Sequence, residues 1–150
     1  MSMNEVSIEK LVSNLNELLE KAKDSLNKIE RLELETTEYI TDELTNDSNR
    51  VSEKFLKYSI EKIDQALLLY EIYNKGVVVV NKLIINNGSI PQEIRNFWNT
   101  VNIIIKNEIE EQELLGNYML DYTKGKKLTE LEKEFINKTF SGIAKIKSKE

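Results

Sequence analysis

Apolar side chains recur every three or four residues along almost the whole chain, the spacing that places them on one face of an α-helix. Residues 4–44 show it most clearly, although Thr36 and Thr37 weaken the pattern near residues 34–37 and could interrupt a helix there. We predict a first long helix over about residues 4–44, with the near-heptad spacing typical of coiled-coil packing. Its apolar positions are Ile8, Leu11, Val12, Leu15, Leu18, Leu19, Ala22, Leu26, Ile29 and Leu32.

Breaks at residues 45–49, 86–88 and 124–127 divide the rest of the chain into three further predicted helices. These stretches are rich in residues that end helices or compete for backbone hydrogen bonds. The predicted helices cover about residues 48–86, 90–123 and 129–147. Ser89 with Gln92, and Thr129 with Glu132, have the spacing of capping boxes at two of the helix starts. Gly76 lies inside the second helix and is expected to weaken it.

Four consecutive valines at residues 77–80 form a segment whose composition favours a strand. We still predict a helix, because Val77, Val80 and Ile84 keep the helical spacing of the preceding apolar residues. A lone strand would also leave its backbone groups unpaired. The predicted fold is therefore all-α, a single domain over residues 1–150. It is an elongated antiparallel up-down helical bundle with three long helices and a shorter C-terminal fourth.

Composition removes several classes of chemistry. The 150 residues contain no His and no Cys, which excludes disulfides, thiolate or imidazole metal sites and serine–histidine hydrolase arrangements. Acidic residues cluster within residues 30–43 and 108–113, without a calcium-loop motif. We interpret these clusters as solvated faces paired with nearby lysines. No catalytic residue, metal site or cofactor is predicted, and the protein is interpreted as not an enzyme.

Charge and hydropathy restrict the expected partners. The chain has 21 Lys and Arg against 26 Asp and Glu, a net charge of −5, which argues against a nucleic-acid partner. No apolar run reaches the roughly 20 residues that span a bilayer. The N-terminus has no basic region before an apolar stretch, so we expect no secretory signal. We expect a cytoplasmic protein. The abundance of Lys, Ile and Asn, whose codons are AT-rich, suggests a low-GC bacterium or its phage or mobile element.

Antiparallel pairing of the predicted helices brings many apolar residues to one end of the bundle, here called the apolar end. The fourth helix is too short to reach it, so we expect exposed apolar surface there. Such a surface fits a partner protein or a second copy in a homodimer, although the first helix could instead close it into a core. The candidate interface residues are Val78, Val79, Ile85, Phe97, Trp98 and Ile103.

The opposite end of the predicted bundle, here called the tyrosine end, gathers aromatic side chains. These could enclose a small ligand or simply cap the core by packing. The residues concerned are Tyr39, Phe55, Tyr58, Tyr118 and Tyr122.

Residues 123–150 contain eight Lys against four Glu, which could contact an anionic membrane surface or serve as a solubilising helix end. Taken together, these features favour a non-catalytic protein–protein interaction module, such as an adaptor, an inhibitor or an immunity-type factor. One alternative is a small-ligand-binding helical sensor that uses the tyrosine end. A second alternative is a membrane-surface helical protein.

Overall fold

In the residues that it describes, a computed structural model of the chain has four α-helices: α1 Ser2–Thr45, α2 Glu53–Ile85, α3 Gln92–Tyr122 and α4 Glu130–Lys147. The structure describes residues 2–45, 53–86 and 88–148, and within the first range it describes the side chains of residues 8–37. These ranges contain no strand, and the helices pack against one another. The predicted all-α bundle is therefore confirmed, including a helix through the valine run.

Helix α2 is the centre of the bundle. Helix α1 packs chiefly on α2, whereas α2, α3 and α4 pack on one another. α1 is antiparallel to α2, since Ser25 contacts Gln65 and the later residue Glu33 contacts the earlier residue Lys62. In contrast, α4 runs in the same direction as α2. Its Lys138 and Lys145 pair with acidic residues of α2 that are likewise seven residues apart.

Two apolar clusters form the core of the described part of the chain. The larger one includes residues of all four helices, and its buried members include Leu15, Ala22, Leu69, Leu83, Trp98, Val101 and Ile146. The smaller one joins one end of α2 to the end of α3 and the start of α4. Its buried members are Phe55, Leu56, Ile60, Ile63, Met119 and Phe135.

Helix α1 continues through residues 34–37 without the interruption that the sequence suggested. The hydroxyls of Thr36 and Thr37 both donate hydrogen bonds to the backbone carbonyl of Glu33, at 3.0 Å and 2.8 Å. Threonine can bond in this way to the preceding helical turn, so its hydroxyl is satisfied without breaking the helix.

The two predicted capping boxes have different outcomes. At the start of α4 the box is present, since Glu132 N–H donates to the Thr129 hydroxyl at 3.1 Å and Thr129 N–H donates to the Glu132 carboxylate at 2.9 Å. At α3 the prediction is wrong, because the helix begins at Gln92 after Pro91 and has no side-chain cap. The ψ angle of 143° at Pro91 is extended, so Ser89 lies outside the helix.

Candidate functional site

The most unusual group in the core is the side chain of Lys62, which is 1% exposed. It belongs to the buried stripe of α2 together with Ser59 and Ala66, three residues before it and four residues after it. A buried ammonium group destabilises a fold by several kcal/mol unless opposite charges compensate for its lost hydration. The surroundings of Lys62 must therefore supply opposite charge.

Three glutamates from two other helices surround this ammonium group. Lys62 Nζ contacts Glu33 of α1, and it lies 3.3 Å from Glu108 Oε2 and 3.2 Å from Glu111 Oε1, both of α3. Glu108 and Glu111 are three residues apart and so share one face of α3. The four side chains, here called the Lys62 cluster, join α1, α2 and α3 through a single buried cation.

One side of the Lys62 cluster is exposed to solvent and the other side is buried. The side chains of Glu33 and Glu111 are 41% and 42% exposed, whereas that of Glu108 is 10% exposed. Water can therefore solvate Glu33 and Glu111 but reaches Glu108 poorly. With all four groups ionised, the cluster carries one positive and three negative charges, so an excess negative charge stays close to the protein interior.

Burial and charge set the protonation of the cluster. Burial, with the nearby negative charges of Glu111 and Glu33, raises the pKa of Glu108 to about 7 against the opposing effect of Lys62. For Lys62, burial by itself lowers the pKa. The hydrogen bond to Glu33 and the charges of Glu108 and Glu111 outweigh that effect and raise the pKa above its ordinary value. Lys62 consequently stays charged, and Glu108 gains or loses a proton near neutral pH.

Glu108 also lines a small pocket between α2, α3 and α4, together with Gln112 and Thr139. The pocket has a volume of about 20 Å³, which is enough for one water molecule. Neither amide atom of Gln112 nor the hydroxyl of Thr139 has a hydrogen-bond partner among the described residues. The space can thus hold a bridging water but not an organic substrate.

The carboxylates of the cluster also have a spacing that suits a metal ion. One oxygen from each of Glu33, Glu108 and Glu111 lies within 4.8 Å of the others, and divalent cations bind such oxygens. The ammonium group of Lys62 contacts all three carboxylates, however, and supplies the positive charge that a metal would bring. We interpret the cluster as an internal ion-pair network that fixes three helices.

The interpretation of these glutamates as solvated faces paired with lysines of their own helix is wrong for the Lys62 cluster. The cation comes from another helix, and Glu108 is buried. A signal was present in the spacing: Glu108 lies three residues after Ile105 and four residues before Gln112, in the middle of the buried stripe of α3. Charged residues at core positions are rare, and those found there are usually paired.

The structure divides the six residues predicted at the apolar end into two groups. Trp98 is buried in the larger core cluster, and Val79 and Phe97 are partly buried against it. The ring of Trp98 makes edge contacts with Tyr73 and Phe97 at 6.1 Å and 5.8 Å between centroids. The other three residues lie on the surface: Val78, Ile85 and Ile103 are 52%, 77% and 57% exposed. The candidate interface is thus half core and half exposed surface.

The five residues predicted at the tyrosine end also separate. Phe55 is buried in the smaller core cluster, and Tyr58 is half-buried. Tyr118 and Tyr122 stack with their ring centroids 5.9 Å apart, and Lys126 Nζ lies 4.3 Å from the centre of the Tyr122 ring. The side chain of Tyr39 lies outside the described residues.

Comparison with protein-family models, with curated proteins and with solved structures finds no match for this chain. Within the residues that the structure describes, no helix is both long enough and apolar enough to cross a lipid bilayer.

Proposed function

We propose that this protein is a non-catalytic interaction module that binds another protein through the exposed part of its apolar end. The observation that carries this proposal is the exposure of Val78 and Ile85, two large apolar side chains seven residues apart on α2. Residues at this spacing lie on the same face of a helix. Clustered exposed apolar side chains are typical of surfaces that bind partners.

The limited length of α4 leaves this face of α2 uncovered. Near its carboxyl end, α4 meets α2 at Tyr70, whose hydroxyl donates to the backbone carbonyl of Ile146 at 3.4 Å. It also meets α2 at Glu71, which pairs with Lys145. Helix α2 then continues to Ile85, a further distance of about 20 Å at 1.5 Å per residue. Its neighbour Val79 packs against the larger core cluster instead of lying on the surface.

The Lys62 cluster supports a structural role for the buried charges. Glu108 has a pKa near neutrality, as a general acid or base would, but the pocket beside it has room only for water. The ion pairs fix α1 and α3 relative to α2. A bundle held in this way presents its outer surfaces in a constant geometry, which favours specific recognition of a partner.

Site-specific photocrosslinking tests the proposal. Benzoylphenylalanine is introduced in place of Ile85 and, as a matched control, in place of Leu114, which is 72% exposed on α3. In cells of the source organism we expect a covalent protein adduct from position 85 and none from position 114. Absence of an adduct at 85, or the same adducts at both positions, would contradict the proposal.

The homodimer remains part of this proposal as one form of partner. Light scattering of the purified protein at micromolar concentration distinguishes the two cases. A mass twice that of the 17.5 kDa chain would support a dimer. A monomeric mass would leave a different protein as the partner.

The two alternatives from the sequence stay predictions with tests of their own. A small-ligand sensor requires a compound that raises the melting temperature and loses this effect after Tyr122→Leu. A membrane-surface protein requires flotation with anionic vesicles at low salt, because the C-terminal lysines would supply the attraction.

A further inference from the structure

On the sides of α2 and α3 that border α4, the charged residues are acidic beside α4 and basic beyond its carboxyl end. Under α4 both helices present acidic residues to lysines of α4. On α2, Asp64 and Glu71 pair with Lys138 and Lys145 at 3.2 Å and 3.4 Å between charged atoms. On α3, the equivalent pair joins Glu113 to Lys147 at 3.1 Å. Helix α4 thus contacts α2 and α3 through lysines that face acidic side chains.

Beyond α4, the same face of α2 becomes apolar with basic flanks. The seven-residue spacing of Asp64 and Glu71 continues at Val78 and Ile85, which are exposed. Lys75 and Lys82 lie three residues before and four residues after Val78, so they border it on the helix surface. Neither lysine forms an ion pair with a described residue.

Helix α3 shows the same reversal. Lys106 lies seven residues before Glu113, on the same side of α3, and has no ion-pair partner among the described residues. A surface depression of about 340 Å³ marks the transition, because its lining includes both Lys106 and the last turn of α4 at Lys147. The uncovered surface therefore begins directly at the carboxyl end of α4.

The segment of the chain that forms this uncovered surface is rich in basic residues. Residues 75–106 contain four basic residues, Lys75, Lys82, Arg95 and Lys106, against the single acidic residue Glu93. The chain as a whole has a net charge of −5. Unpaired charge of one sign around an apolar surface favours a partner of the opposite sign, because it speeds encounter and disfavours like-charged competitors.

We infer that the partner presents an acidic amphipathic helix, which lies on α2 and α3 beyond the carboxyl end of α4. This inference rests on the proposed function and names the chemistry of the partner. The apolar side of the incoming helix covers Val78 and Ile85, as in other helix-in-groove complexes. Its carboxylates lie beside Lys75, Lys82 and Lys106. In this arrangement the partner helix extends the line of α4, and its carboxylates face lysines where the lysines of α4 face carboxylates.

A pair of designed peptides tests the inference with the full chain. The first is a fluorescent helical peptide of about 20 residues with Leu at the a and d heptad positions and Glu at the flanking positions. The second replaces each Glu with Lys and keeps the apolar side. We expect the acidic peptide to bind at least about tenfold more tightly by anisotropy, with an affinity that falls as salt rises. Equal binding of the two peptides, or tighter binding of the basic one, would overturn the inference.

Surface variants locate the binding site. Ile85→Ser is expected to weaken binding of the acidic peptide about tenfold or more, whereas Leu114→Ser, at another exposed apolar position, leaves it unchanged. Lys82→Glu is expected to shift the preference toward the basic peptide, and Lys124→Glu, on the exposed α3–α4 turn, is the matched charge control. Circular dichroism confirms that each variant folds. If the Ile85→Ser and Leu114→Ser variants bind the acidic peptide with equal affinity, the peptide does not bind at Ile85 and the inference is overturned.

The crosslinking experiment separates failure of the inference from failure of the proposed function. An adduct at position 85 in which the partner segment is an acidic helix supports both. An adduct with a basic or non-helical segment, or with a second copy of this chain, keeps the proposed function and overturns the inference. No adduct at position 85 overturns both.

Discussion

The indole ring of Trp98 occupies the space that a side chain at Gly76 would fill. A Cβ built at residue 76 would lie 2.5 Å from Cζ2 of Trp98, far inside van der Waals contact. The glycine that the sequence marked as a weak point in α2 is therefore the position where α3 approaches it closely. Its helix-propensity cost of about 1 kcal/mol is offset by the burial of a large aromatic side chain.

Gly76→Ala is expected to destabilise the protein despite the better helix propensity of alanine. The added methyl group collides with a buried ring, and overpacking of this kind costs about 1–3 kcal/mol. Urea unfolding measures the change. The matched double variant Gly76→Ala with Trp98→Leu should recover part of the loss, because the smaller side chain removes the collision. A Gly76→Ala protein at least as stable as the parent would show that α2 and α3 separate there without cost.

Lys62→Met is expected to lower the free energy of unfolding by about 3–5 kcal/mol at neutral pH. The change leaves three carboxylates together without the cation that they share. Lys57→Met alters an exposed lysine of the same helix and should change the stability by less than about 0.5 kcal/mol. Equal urea midpoints for the two variants would contradict the view that the Lys62 cluster fixes the helices.

Glu108 should make the stability depend on pH. Its pKa is about 7 in the folded protein against an ordinary value of 4.5, so the folded state holds the proton more tightly than the unfolded state. The free energy of unfolding should therefore fall as the pH rises from about 5 to 8, by up to roughly 3 kcal/mol from this group. Glu108→Gln should remove most of this slope, whereas Glu110→Gln, at an exposed neighbouring position, should keep it. Parallel curves for the parent and Glu108→Gln would be the contrary result.

Gln112→Met is expected to stabilise the protein by about 1 kcal/mol. The amide of Gln112 is buried without a hydrogen-bond partner among the described residues, and an apolar side chain of similar shape avoids that penalty. Gln65→Met is the control, because the Gln65 side chain accepts a hydrogen bond from Ser25 at 3.3 Å and its loss should not stabilise. A lower melting temperature for Gln112→Met would mean that its amide takes part in a needed contact with water.

The sequence was sufficient for the helices and their up-down arrangement, and insufficient for the side-chain contacts between them. The spacing of apolar residues predicts four helices, and the Thr129–Glu132 spacing predicts the start of α4, because both are local properties. The exposure of Val78 and Ile85 agrees with the limited length of the fourth helix. The Lys62 cluster was missed, since its members come from three helices and Lys62 is 46 residues from Glu108 in sequence. Only the packing of α1 and α3 on α2 brings them together.

The dependence of α1 on α2 has a consequence for the growing polypeptide. The apolar stripe of α1 is buried chiefly by α2, which follows it in the chain and is 33 residues long. At about 5–20 residues per second, a ribosome needs a few seconds to synthesise that second helix. During this interval α2 is not yet available to pack on the first helix. The leucines and isoleucines of the α1 stripe therefore stay exposed, and a chaperone at the ribosome can bind them.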